Sequence, residues 1–195
     1  MKNKNQARLL SFLIGSSGYL VPRPYNEYVK ISKTMHPFIL GKRNIHYFYN
    51  LEKSVYGIRA TMEVFKNIIS NEGKTLFISN SFPLSQRFVK EPNINCIKWK
   101  RGVLAKSKDA DLVFLDGVEK ENLVEAHRKC LLLVGVGSPT MSKISYPFNL
   151  NIESSLLTDW FFGIIYTSYL KGKEKKKKRS PINSLLGKGR LKNEI

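Results

Sequence analysis

The chain has 195 residues, 42% of them hydrophobic, and a formal net charge of +18. Such a length supports one full-sized domain with a core, and that apolar content excludes a wholly disordered chain. The charge is uneven: residues 1–108 hold 19 basic and 5 acidic side chains, residues 109–170 hold 4 and 8, and residues 171–195 hold 10 and 2. A basic half, a mildly acidic block and a basic tail imply that one surface faces a polyanion. Nucleic acid and an anionic membrane both qualify, and composition favours nucleic acid.

Taken in chain order, Ala7–Ile14 reads as a short helix ended by Gly15-Ser16-Ser17-Gly18. Lys2, Lys4 and Arg8 precede it and no acid appears before Glu27, a pattern shared with presequences. Its apolar run is short for a secretory segment, so a native first helix is preferred. Residues 19–44, with Pro22, Pro24 and Pro37, read as an irregular arm, which in a compact domain points to a functional or partner-ordered segment. Ile45–Tyr49 reads as a first strand. Leu51, Val55, Ile58, Met62, Phe65 and Ile69 recur at helical spacing and predict a helix over residues 51–71.

Leu76–Ser79 reads as a second strand, and Ser81 with Pro83 opens a short helix reaching about Lys90. Ile94–Ile97, Leu112–Leu115 and Leu131–Val136 complete five strands, the apolar run Leu112–Leu115 being of the kind buried on both faces. Glu119–Lys129 reads as a helix with acids in its first turn and bases in its last. Ile152–Leu170 is a final helix, apolar almost all round, and contains Asp159. This alternation predicts a doubly wound parallel sheet covered on both faces. The connection Lys98–Asp111 is near the minimum for a parallel crossover and has no helical stripe.

The chemistry-bearing motifs are few. Cys96 and Cys130 are too few for a disulfide framework and read as reduced thiols. His36, His46 and His127 have no partners at ligand spacing, so no metal site is expected. Gly135-Val136-Gly137-Ser138 lacks the third glycine of a dinucleotide loop. Glu72-Gly73-Lys74-Thr75 sits in the reverse of the strand–loop–helix order a phosphate loop needs. Asp116 ends a strand where open α/β sheets place ligands, but no base or nucleophile converges on it by spacing, and a turn-forming Asp before Gly117 is preferred. The basic clusters stand apart. Lys42-Arg43, Lys98-Trp99-Lys100-Arg101, Lys106 with Lys108, and Lys173–Arg179 are nearly free of acids and interleave with His36, Phe38 and Trp99. Cations there would neutralise phosphates while rings stack on unpaired bases.

Residues 35–54 carry the most information: Pro37-Phe38-Ile39, then Gly41-Lys42-Arg43-Asn44, a strand, then Asn50-Leu51-Glu52-Lys53. This run closely resembles the small-subunit ribosomal protein S two family. The resemblance extends, with gaps, from about residue 7 to 170. It takes in Gly73–Ile78, Trp99 with Gly102-Val103-Leu104, Leu112–Asp116 and Glu125-Ala126. It implies a three-layer α/β/α sandwich with a five-stranded parallel sheet, flavodoxin-like, with an irregular N-terminal arm and a basic C-terminal tail. It further implies a structural constituent of the small ribosomal subunit that binds rRNA and neighbouring proteins and is not an enzyme.

Departures from the family pattern are informative. The helical hairpin that family members insert between the tryptophan signature and the fourth strand is missing, as in mitochondrial-type members. Tyr19 and Val21 replace a histidine–glycine pair, Arg101 replaces a signature glycine, and Gly137-Ser138 replaces an aspartate. Ile144-Ser145-Tyr146-Pro147 and the Lys, Asn, Ile and Phe richness suit a mitochondrial member, in the matrix, rather than a plastid one. The expected organisation is an N-terminal helix and basic arm at 1–44, an α/β domain at 45–170 and a basic tail at 171–195 that is ordered only when bound. The candidate RNA-binding residues are Lys33, His36, Lys42, Arg43, Asn44, Lys98, Trp99, Lys100, Arg101, Lys106 and Lys108. No catalytic residue, metal, cofactor, membrane or small-molecule substrate is expected. The alternatives are an α/β enzyme using Asp116 and the Gly135–Ser138 loop on a phosphorylated ligand, or a free-standing RNA-binding or membrane-surface module built on the basic tail.

Overall fold

Period-two burial in the central strands sets the architecture. In a computed structural model that describes residues 2–22, 31–79, 88, 91–100, 102–106, 110–116, 125–126, 130–137, 139–140 and 144–189, Phe77, Leu112, Phe114, Val134 and Val136 face one apolar cluster. Their neighbours Leu76, Ile78, Val113, Leu115 and Leu133 face another. Strands buried on both sides need a covering layer on each. These strands are β3 (Thr75–Ser79), β5 (Leu112–Asp116) and β6 (Leu132–Val136), joined by β4 (Ile94–Lys98) and β7 (Tyr146–Phe148) at the edges. The five pair in parallel in the order β4-β3-β5-β6-β7. Numbered within the sheet this is 2-1-3-4-5, the flavodoxin-like order, and the α/β class read from the sequence holds.

One strand of that sheet differs from the expectation. Ile45–Tyr49 is not in the parallel sheet. Instead β1 (Ile39–Arg43) and β2 (His46–Tyr49) form a separate antiparallel hairpin. The two-residue turn Asn44-Ile45 lets β2 fold back on the chain before it, and Asn44 takes a left-handed φ of 54° that Asn tolerates. The fifth sheet strand is β7, three residues with a central proline. It shows no periodicity, and Pro147 is accommodated because β7 is an edge.

The described parts of the arm, residues 19–22 and 31–44, hold regular structure that the sequence does not predict. A bridge joins Leu20 to Phe48, and the Tyr49 amide donates to the Tyr19 carbonyl. A 3-10 helix, Lys33–Phe38, leads into β1. The helix α1 runs Lys2–Gly15, five residues earlier than predicted, with Leu13 fully buried and Phe12 against the Trp160 ring.

The helix α2 (Leu51–Ser70) follows the predicted stripe: Val55, Ile58, Phe65 and Ile69 are buried. The Asn50 side chain caps it by accepting from the Lys53 amide, and Glu52 stands in its first turn. Phe65 meets Phe114 and Phe77 edge-on, and Phe77 stacks on Phe114 at 4.4 Å. Among the described residues, Leu104 and Ala126 cover the second face. The described part of the crossover from β4 to β5 holds one helical turn, α3 (Val103–Lys106), whose Leu104 is fully buried.

The last helix, α4, runs Ser155–Gly189 and does not stop at Leu170. Gly172 lies against Ile69, and Lys175 Nζ donates to Asn67 Oδ1. Lys173 Nζ pairs with Glu91 at 2.6 Å, and Lys176 pairs with Glu72. The first turns of the basic segment are thus strapped to α2 and its flanks, which composition alone does not disclose. The predicted helices at Ser81–Lys90 and Glu119–Lys129 lie outside the described residues, except Phe88 and the helical Glu125-Ala126.

Candidate nucleic-acid interface

The carboxyl ends of the parallel strands and the β1–β2 hairpin share one end of the molecule. The end of α2 lies at the amino end of β5, where the Lys74 amide donates to Asp111 Oδ2 and Gly73 abuts the same carboxylate. The start of α2 therefore lies toward the strands' carboxyl ends. The segment leading to the hairpin also reaches that end, where the Ser32 amide donates to the Pro139 carbonyl just past β6.

Among the described residues, two basic groups occupy this end. The first is on the arm and hairpin. Lys33 and His36 are exposed on the 3-10 helix, and Lys42, Arg43 and Asn44 are exposed along β1 and its turn. Lys42 Nζ sits 5.2 Å from the centre of the Tyr47 ring, a cation–π contact. Lys53 Nζ donates to the Pro37 carbonyl at 3.0 Å, and the Asn50 amide donates to the Phe38 carbonyl. The start of α2 thus pins the 3-10 helix on which Lys33 and His36 ride.

The second group follows β4. Lys98 and Lys100 are exposed, and Trp99 is half-buried against the apolar cluster of the second face. Gly102, at φ 83°, donates its amide to Glu125 Oε1 at 2.9 Å. Leu104 and Ala126 are buried in the same cluster as Trp99. The motif residues that are separate in sequence therefore meet, and they brace the loop carrying the lysines. Lys106 ends α3. Arg101 and Lys108 lie outside the described residues.

The sheet order keeps the two groups apart, with β3 and β5 between β4 and β6. Three strand spacings amount to roughly 14 Å. Between them lies a pair that spacing did not reveal. Ser79 Oγ donates to Asp116 Oδ2 at 2.7 Å where the strand order reverses. Burial pushes the Asp116 carboxyl up to about 6, against the lowering effect of the Ser79 hydrogen bond. Among the described residues, no group of three His, Cys, Asp or Glu side chains is placed to hold a metal. The glycine loop after β6 is closed by the chain itself: the Gly137 amide donates to the Phe148 carbonyl, and the Leu150 carbonyl abuts Gly137. Its first amide is thereby spent on backbone rather than offered to a phosphate. Among the described residues, no helix is long and apolar enough to cross a membrane.

No family model matches the chain. It is similar to the small ribosomal subunit protein uS2 of Idiomarina loihiensis, with 30% identity over 124 residues, covering 53% of this chain and 51% of that protein. The chain spans about half the length of this curated relative. The likeness in sequence and the 2-1-3-4-5 parallel sheet together support the small-subunit ribosomal protein S two family, the one its motifs resemble.

Proposed function

We propose that this chain is a structural constituent of the small subunit of the mitochondrial ribosome, acting in translation by binding rRNA and neighbouring proteins rather than by catalysis. The similarity to a small ribosomal subunit protein carries the reading. The exposed cations of the hairpin and of the loop after β4 support it, because phosphate neutralisation gives affinity and register without chemistry. The mitochondrial setting is read from the short Lys98–Asp111 connection, which leaves no room for the helical hairpin that the family resemblance implies, and from the Lys, Asn, Ile and Phe richness. In this reading Lys33, His36, Lys42, Arg43, Asn44, Lys98, Trp99, Lys100, Arg101, Lys106 and Lys108 contact RNA.

The native protein is expected to co-sediment with mitochondrial small ribosomal subunits; a pool wholly free of ribosomes would refute the assignment. Replacing Lys42 and Arg43 with alanine tests the contact. The slope of log affinity against log salt should flatten by about 1.5 for two lost phosphate contacts. An unchanged slope would mean that the hairpin faces elsewhere.

A further inference from the structure

Two of the large exposed hydrophobic side chains stand out: Leu40 is 74% exposed and Ile45 is 65% exposed, the highest values among those described. Isolated exposed aliphatics are ordinary. These two, however, lie on one short hairpin beside Lys42 and Arg43, and a backbone irregularity presents each of them. Leu40 is the extra residue of a bulge: Ile39 pairs with Tyr49 and Gly41 pairs with Phe48, so Leu40 has no partner across the ladder. Bulges of this kind re-aim a side chain. Ile45 is the second residue of the two-residue turn, directly after the left-handed Asn44, a position where small polar residues are the usual choice. Local rules broken without gain to the fold mark a site under another demand.

The surroundings define the partner. Lys33, His36, Lys42 and Arg43 are exposed on the same arm and hairpin, and the sequence holds no acid between Glu27 and Glu52. The complementary surface is densely negative and offers apolar faces within a few ångströms of its charges. Unpaired nucleotides combine these, whereas a continuous A-form helix exposes phosphates and hydroxyls but stacks its base faces away.

We infer that the β1–β2 hairpin engages unpaired or bulged RNA nucleotides, with Leu40 and Ile45 against base faces and Lys42 and Arg43 on the flanking phosphates. The inference rests on the RNA-binding reading above and adds the form of RNA recognised. The two pairs of side chains then act by different physics. The cations contribute a salt-dependent term, common to any RNA, and the aliphatics contribute a salt-independent term specific to exposed bases.

The test uses the full chain and two RNA probes of equal length, a stem–loop with an internal bulge and a blunt, fully paired duplex, with affinity read by fluorescence anisotropy across a salt series. The double variant Leu40→Ser with Ile45→Ser should bind the bulged probe about tenfold more weakly, the effect of losing burial of exposed aliphatic area, and the duplex less than about twofold more weakly. Its salt slope should match the unsubstituted protein, while Lys42→Ala with Arg43→Ala weakens both probes and flattens both slopes. Both aliphatic positions are exposed, so an unchanged melting temperature is expected and serves as the folding control. Equal losses on the two probes, or no loss on either, would overturn the inference while leaving the RNA-binding reading standing. Failure of the unsubstituted protein to bind either probe would overturn both.

Discussion

Substitution of Gly57 by alanine probes how closely α2 is seated on the sheet. An alanine Cβ at this position would lie 2.5 Å from the Pro147 carbonyl oxygen, a backbone atom of β7. Mid-helix alanine is favoured over glycine by about 1 kcal/mol. Overpacking costs about 1–3 kcal/mol, and the upper part of that range applies because β7 is held by its pairing with β6. The net expectation is a loss of about 1–2 kcal/mol, or roughly 2–8 °C in melting temperature for a domain of this size. Gly163 in α4 supplies the control, since nothing lies within 4 Å of a Cβ built there. Alanine at 163 should raise the melting temperature by about 2–4 °C through propensity alone. Thermal unfolding followed by circular dichroism reads both. A Gly57→Ala protein as stable as the unsubstituted chain would refute the close seating of α2 on β7. A destabilised Gly163→Ala protein would refute the open space assigned to that face.

Asp116→Asn should remove a pH-dependent penalty. The folded carboxyl ionises near 6 and the unfolded one near 3.8, so the folded state holds its proton longer. Stability therefore falls as pH rises through that window and stays lowered above it. The variant should exceed the unsubstituted protein by about 1–3 kcal/mol at pH 7 and converge with it below about pH 4; a constant difference across pH would refute the assignment. The strap on α4 makes a weaker prediction. Lys173 donates to Glu91, holding that carboxyl below the usual range, and the Tyr169 hydroxyl also donates to it. A double-mutant cycle with Glu91→Gln and Lys173→Ala should give a coupling of about 0.2–1 kcal/mol that fades at high salt, and a coupling indifferent to salt would mean that the contact is not ionic.

Much of the fold is legible in local pattern. The helix over residues 51–71 follows from six apolar positions at helical steps. The central strands follow from short apolar runs bounded by turn residues. Errors cluster where pairing, not local preference, decides. Tyr146–Phe148 has too few residues and a proline against it, and it becomes a strand because the free edge of β6 accepts it. His46–Tyr49 has strand character in either setting. Only the two-residue turn before it, closing on β1, assigns it to the hairpin and not to the sheet. Leu170 looked like the end of α4 because the apolar stripe stops there, yet Glu91, Asn67 and Glu72 supply partners that carry the basic helix onward.

The candidate interface divides the same way. Residue types and their clustering, read in sequence, determine that the chain is a basic α/β protein with cations before α2 and after β4. Those properties belong to the chain regardless of how it folds. The tertiary structure alone decides which end of the sheet carries them, that strand order holds the two groups apart, and that one of them is braced by the Gly102–Glu125 hydrogen bond and by Trp99 packing on the cluster of Leu104 and Ala126. It also decides that Ser79 and Asp116, thirty-seven residues apart, share a hydrogen bond at the reversal point. The exposure of Leu40 and Ile45 is decided there too, because a bulge and a left-handed turn residue redirect side chains without any signal in hydrophobic period.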